Sequence, residues 1–399
     1  MPQTLPIFQF APMPLLRFGW GIRHQLVDHL KNNYHGRVVL ITGNYLSRPG
    51  EFGQVVRDAL LENNRLVDHF TVSGEPSPDL VDYIVSQCKT DSEVVIGIGG
   101  GSVLDAAKAV AGLIPSQTSV MEYLEGVGAG KPFNVPTCPF IAVPTTAGTG
   151  SETTKNAVLS HLGEFKKSFR DDTLLAKEAW LDPELLRSCP KDVLYATGMD
   201  AFTQLLESYT TLKSNPITDA LAWQGMTLFK GAFEDIESVD PNAQQQGYSR
   251  LMLAASLSGT TLANAGLGAV HGLAGPIGAF FEAPHGLVCA KLLAPISQKN
   301  ITALQQQTDT NSQQTLEKYR QVGRLFNPDS EPGQELTALL DTLKDYASVY
   351  TPQALSGYGL HKDKLQKVIA HCRSGSMMGN PVTLSDVELM DAMLDTLSQ

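Results

Sequence analysis

The chain is 399 residues long, with 42% hydrophobic and 18% charged residues, enough for two domains and a large core. Its formal net charge of −11 leaves no basic surface to neutralise a phosphate backbone, which argues against nucleic acid as a partner. No run of about 18 apolar residues offers a membrane span, and the opening segment MPQTLPIFQF lacks the charged head and apolar middle of a secretory leader, so a cytoplasmic protein is expected.

The elements then follow in chain order. Leu15 to Gly21 reads as a strand entering a turn, followed by a helical stretch around His24 to Leu30. Arg37 to Thr42 is a β-branched run ending at Gly43 and Asn44, as a buried parallel strand ends at its loop. A helix over Glu51 to Asn63, a strand over Arg65 to Val72 and a helix over Pro78 to Cys88 continue the βαβ pattern. The strand Glu93 to Ile98 runs into Gly99, Gly100, Gly101 and Ser102, and Val103 to Leu113 is helical. Strand, glycine turn and helix expose backbone N–H groups at a helix start, where a phosphate can be received. Asp105 and Lys108 on that helix weigh against a simple tight turn.

After a Pro- and Gly-rich crossing from Gly126 to Pro139, the strand Phe140 to Val143 leads into a second loop, Pro144 to Ser151. Its Thr145, Thr146 and Thr149 supply hydroxyls among bare amides, as a ribose, a pyrophosphate or a carboxylate requires. Asn156 to Leu159 and Phe165 to Phe169 look like short strands around Gly163. From Asp182 the pattern becomes helical, and the boundary is placed so that 1–185 form an α/β nucleotide-binding domain and 186–399 an all-helical domain. Helices are expected over Asp192 to Leu212, Ile217 to Phe233, Asn242 to Leu262, Gln313 to Leu325, Gly333 to Tyr346, Lys362 to Cys372 and Leu384 to Leu397.

Among these helices, Asn264 to Ala290 carries His271 and His285 in small and apolar surroundings. Buried imidazoles need a partner or a metal. Pro276, Gly278 and Pro284 argue against one unbroken helix, so His271 is placed on one helix and His285 at the start of the next. Asp200, in TGMDAFTQLLESY, is the third candidate ligand, and Gln204 shares its helix face. One carboxylate and two imidazoles form a three-ligand site with an open position, available for Lewis-acid polarisation of a hydroxyl or carbonyl oxygen. The five cysteines, Cys88, Cys138, Cys189, Cys289 and Cys372, show no CxxC pair and read as reduced core thiols.

Taken together, FGWG at Phe18 to Gly21, GIGGGSVLDAAK at Gly97 to Lys108, PTTAGTGSE at Pro144 to Glu152, LDPEL at Leu181 to Leu185, TGMDAF at Thr197 to Phe202 and the two-histidine stretch resemble the iron-containing alcohol dehydrogenase family over nearly the whole chain. The resemblance implies a Rossmann-like α/β domain, a helical domain, a divalent metal (Fe2+ or Zn2+) between them, and hydride exchange between NAD(P) and an alcohol or aldehyde. It also implies a homodimer or larger assembly. Carried over by position, Gly99 to Ser102 with Asp105 match the pyrophosphate site, and Thr145, Thr146 and Thr149 the adenine and ribose side. A lysine of the next strand also belongs to that cofactor site. Counting back from Asp182 favours Lys166 and counting on from Thr145 favours Lys167, the residue carried here in the expected set. Asp200, His271 and His285 match metal ligands.

Three departures stand out. Where the family places an acid after the early-strand threonine, this chain has Gly43 and then Asn44, so NADP is expected to be accepted or preferred. The family's further histidine ligand, one turn after the aspartate, is Gln204 here, a weak and neutral candidate for the metal set. A family histidine near the nicotinamide is Gly275. Two rivals are a divergent enzyme of the same fold acting on a sugar acid or polyol, and a nucleotide-binding protein that has lost catalysis.

Overall fold

The structure is a computed structural model that describes residues 7–63 and 65–397; the first six residues of the segment read for a leader lie outside it. The α/β half contains β1 (Leu15–Phe18), α1 (Leu26–Asn33), β2 (Arg37–Gly43), α2 (Phe52–Glu62), β3 (Val67–Val72), α3 (Pro78–Gln87), β4 (Ser92–Gly99), α4 (Gly101–Leu113), β5 (Phe140–Pro144), β6 (Asn156–His161), β7 (Phe165–Arg170) and β8 (Glu178–Leu181). Six strands form one parallel sheet in the order β1-β8-β5-β4-β2-β3.

The continuous apolar strands follow from burial on both faces. Along β2, Val38 and Leu40 pack with Leu26, Leu30, Val56 and Leu60 of α1 and α2. The alternate residues Val39 and Ile41 face Val81, Ile84 and Leu104 of α3 and α4. The chain reverses direction across the sheet between β2 and β4, so the carboxyl ends of these strands flank a crevice suited to a ligand. Gly43 and Asn44 lie at one lip and Gly99 to Ser102 at the other.

The expected strands over Asn156 to Leu159 and Phe165 to Phe169 form a separate antiparallel hairpin, β6 with β7. This hairpin reaches the helical half, where Gly163 N–H donates to the carbonyl of Ala279 at 2.8 Å. The expected helix start at Asp182 is a 3-10 turn over Pro183–Ser188, capped by the Asp182 carboxylate.

The rest of the chain is helical: α5 (Lys191–Thr210), α6 (Pro216–Phe229), α7 (Ala232–Glu237), α8 (Pro241–Ala265), α9 (Ala269–Phe280), α10 (His285–Gln305), α11 (Thr310–Phe326), α12 (Glu335–Tyr350), α13 (Leu365–Ile369) and α14 (Asp386–Leu394). The expected helix over Ile217 to Phe233 divides, because Gly231 takes a left-handed φ of 73° between α6 and α7. Pro276 stays inside α9, and the break falls after Phe281, with Pro284 leading into α10. The stretch expected as a helix over Lys362 to Cys372 is helical only over Leu365–Ile369, behind a 3-10 turn at Lys362–Lys364.

The two halves meet through glycines. Gly150 has φ +57°, and a Cβ on Gly259 of α8 would fall 2.2 Å from the Gly150 carbonyl oxygen. The Thr153 hydroxyl donates to the Ser256 carbonyl at 3.0 Å across the same contact. The second loop is thereby fastened to the helical half as well as to the sheet.

Candidate metal and dinucleotide site

The middle of α5 and the first turns of α9 and α10 converge on one point. Asp200 lies on α5, His271 in the first turn of α9, and His285 is the first residue of α10. His271 Nε2 is 3.1 Å from Asp200 Oδ1, and His285 Nε2 is 3.9 Å from the same oxygen. Cys289, one turn beyond His285, brings its Sγ to 3.7 Å from both Nε2 atoms. The four donor atoms lie within 4.8 Å of one another. The pair of histidines and their carboxylate, expected from sequence, are brought together.

Residues of α5 beyond Asp200 hold this cluster. Helical spacing places Asp200, Gln204 and Glu207 on one stripe. Glu207 Oε2 accepts from His271 Nδ1 at 2.6 Å, and its Oε1 accepts from Val270 N at 2.7 Å, covering an orphan donor at the start of α9. When the ring is neutral, as a metal ligand must be, that arrangement fixes the tautomer that turns the Nε2 lone pair toward the cluster. Gln204, the further candidate for the metal set, accepts at Oε1 from the Ser258 hydroxyl at 2.9 Å, and its side chain hydrogen-bonds Asp200. Gln204 therefore holds the carboxylate, with its oxygen already committed elsewhere.

The charges reinforce one another. Burial pushes Asp200 up, but His285, His271 and the Gln204 hydrogen bond hold it down to about 2. Burial alone would lower His271; Cys289, Asp200 and Glu207 instead hold it well above the usual imidazole range. His285 is pushed down to about 4 by burial, with Lys166 and His271 adding to that against Asp200. Burial raises the Cys289 thiol to about 12. An ionised carboxylate beside an imidazole kept neutral by burial is a donor set suited to a divalent cation. Nδ1 of His285 is buried without a hydrogen-bond partner among the described residues.

Beside the cluster, the space at Gly275 is open, with no described heavy atom within 4 Å of where a Cβ would stand. Lys166 borders the same region. Its Cδ is 3.8 Å from a Cβ position on Gly278, its Nζ is 2.9 Å from Glu75 Oε2, and its charge is felt by His285. Lys167 lies near Gly126 instead, since successive strand residues face opposite ways. Of the two lysines weighed for the cofactor side, Lys166 is the one that faces this region.

The two loops expected to hold a dinucleotide pack against each other. Thr145 N–H donates to the Gly99 carbonyl at 3.0 Å. A Cβ on Gly100 would be 3.2 Å from Thr146 Cγ2, and one on Gly101 would be 2.8 Å from Thr149 Oγ1. These glycines are needed for close approach, and they leave the N–H groups at the start of α4 bare. Gly43 is close by, with 3.8 Å between a Cβ position there and Val103 Cγ2. Asn44 is exposed.

Asp105, expected at the pyrophosphate, lies one turn into α4. Its carboxylate accepts from Ser151 Oγ at 2.5 Å and Val158 N at 3.0 Å, so it ties α4 to the second loop and β6. Fully buried Lys108 is part of the same tie, donating to Ser151 O and Oγ, Thr154 Oγ1 and Asn156 O within 3.0 Å. Burial lowers Lys108 to about 8 and raises neighbouring Glu152 to about 7. Sequence reasoning passed over Glu207 and Cys289, whose only signals are spacings of seven from Asp200 and four from His285.

Two family profiles match the chain: iron-containing alcohol dehydrogenase over residues 14–183, and the C-terminal part of the Fe-containing alcohol dehydrogenase family over 194–396. Alcohol dehydrogenase 4 of Saccharomyces cerevisiae is 31% identical over 292 residues, covering 72% of this chain and 74% of that protein. Long-chain-alcohol dehydrogenase 1 of Geobacillus thermodenitrificans is 34% identical over 281 residues, 70% of each. An alcohol dehydrogenase structure from Oenococcus oeni superposes with a TM-score of 0.84 at 24% identity, covering 98% of this chain and 100% of that one.

Proposed function

The chain belongs to the iron-containing alcohol dehydrogenase family, and from that premise we propose that it interconverts an alcohol and its aldehyde by hydride exchange with NAD(P), at a divalent-metal site made by Asp200, His271 and His285. The observation that carries this reading is the convergence of those three donors beside the open space at Gly275. When bound, the metal supplies Lewis-acid polarisation of the substrate oxygen and the nicotinamide gives or takes the hydride.

The chain's own residues supply positioning. Glu207 keeps His271 in the tautomer that offers Nε2, and Gln204, backed by Ser258, keeps Asp200 turned inward. The bare N–H groups at Gly101 and Ser102, with the hydroxyls of Thr145, Thr146 and Thr149, hold the phosphates and ribose of the dinucleotide. Lys166 meets the cofactor on the cleft side. With no imidazole at Gly275, the substrate proton leaves through water or through a second hydroxyl of the substrate. Gly43 and exposed Asn44 place no carboxylate against a ribose 2′-phosphate, which supports use of NADP.

Five free cysteines suit a reducing, cytoplasmic setting, and the family resemblance supports a homodimer. Among the described residues no helix is long and apolar enough to cross a membrane. The test is NAD(P)H-linked turnover over a panel of aldehydes, diols and sugar acids, before and after chelation. Chelation is expected to abolish turnover and a divalent metal to restore it; full activity in metal-stripped protein would overturn the reading.

A further inference from the structure

We propose that Cys289 is the fourth protein ligand of this metal site, giving an Asp–His–His–Cys set that selects zinc over iron and to which the substrate oxygen adds as a fifth ligand. The proposal rests on the metal reading above. It assigns to a thiolate the place for which sequence offered only Gln204.

Geometry is the first support. A tetrahedral zinc site with ordinary bond lengths has edges of roughly 3.3 Å between nitrogen and oxygen ligands and roughly 3.6 Å from sulfur to nitrogen. Of the six edges here, those from Asp200 Oδ1 to the two imidazoles are 3.1 and 3.9 Å, those from Cys289 Sγ to each imidazole are 3.7 Å, and the other two are within 4.8 Å. Cys289 Sγ stands equidistant from the two imidazole nitrogens, so a cation on their common side meets all four donors.

The surroundings are the second support. A thiol that only fills a core touches apolar groups, but Cys289, fully buried, faces two imidazoles and a carboxylate. Its position is set by the helix, one turn after His285, so both ligands project from the same face of α10. Gln204 is spent on Ser258 and Asp200 and leaves the fourth corner to sulfur. Thiolate ligation favours zinc over the harder ferrous ion. As the metal–sulfur bond forms, the Sγ proton is released to solvent.

The experiment uses the full chain, stripped of metal and reloaded with one equivalent of zinc or cobalt(II). X-ray absorption at the zinc edge is expected to show a sulfur shell at about 2.3 Å. The cobalt form is expected to show a thiolate-to-metal charge-transfer band in the near ultraviolet. Cys289→Ser should lose both signals and weaken zinc binding on the order of 100-fold, the upper end of what losing a supporting hydrogen bond costs. Cys189→Ser should keep both signals. A wild-type protein that binds one zinc through nitrogen and oxygen alone, or a sulfur signal that survives Cys289→Ser, overturns the role of Cys289 and leaves the proposed function standing. Failure to bind either metal overturns both.

Discussion

Glu207→Gln isolates the residue on which the orientation of His271 depends. The carboxylate is 8% exposed and uses both oxygens, accepting from Val270 N at 2.7 Å and from His271 Nδ1 at 2.6 Å. A glutamine of the same shape can keep the bond to Val270 through its oxygen, but it then presents an N–H group to Nδ1. The imidazole must answer with a lone pair at Nδ1, which moves its proton to Nε2, the atom that faces Asp200 and Cys289. Restoring the ligand tautomer would set two N–H groups against each other in a buried site. Loss of such a supporting partner weakens metal binding by about 10- to 100-fold, or roughly 1.4–2.7 kcal/mol. The assay is zinc affinity by competition with a chromophoric chelator at pH 8, with circular dichroism to confirm the fold. Unchanged affinity in a folded Glu207→Gln protein would refute the tautomer argument.

Gly43→Asp fits its site, since the nearest atom to a Cβ is 3.8 Å away, and it restores an acid at the end of β2. Steady-state kinetics should show NADP kcat/KM falling by about tenfold or more relative to NAD through like-charge repulsion, and an unchanged ratio would place the 2′-phosphate elsewhere. Because burial raises Glu152 to about 7, its contribution to stability is full below about pH 4.5 and is lost as pH rises through about 7. Glu152→Gln should flatten that limb in urea melts and gain on the order of 3 kcal/mol at pH 8, while parallel wild-type and variant profiles would contradict the burial argument. Gly259→Ala drives a Cβ to 2.2 Å from the Gly150 carbonyl oxygen, so it should cost about 1–3 kcal/mol in a thermal or urea melt and raise the KM for cofactor; a wild-type melt would mean that the two halves separate freely there.

Much of this was legible in order along the chain. The run from Gly97 to Lys108 announces strand, turn and helix because a buried parallel strand is apolar throughout and glycines interrupt it. Two prolines and several glycines around His271 and His285 announce two helices, and α9 and α10 follow. Which side chains face the site is harder to read. Most of α5 is buried, so no polar face marks the stripe through Asp200, Gln204 and Glu207. Cys289 sits in an apolar helix and looks like any core thiol until three other donors are seen around it. Lys166 and Lys167 differ by one residue, and a strand sends them to opposite faces, so counting from distant motifs could not separate them. Asp105 and Lys108 have the residue types of a phosphate site, but Ser151, Thr154, Asn156 and Val158 engage them first.

Metal content per chain in wild type and in His271→Ala, His285→Ala and Asp200→Asn tests the central claim most directly, measured beside NAD(P)H-linked turnover. Convergence of those donors predicts one divalent ion per wild-type chain, with metal and turnover lost together in all three variants. Stoichiometric metal or undiminished turnover in the folded variants would contradict it.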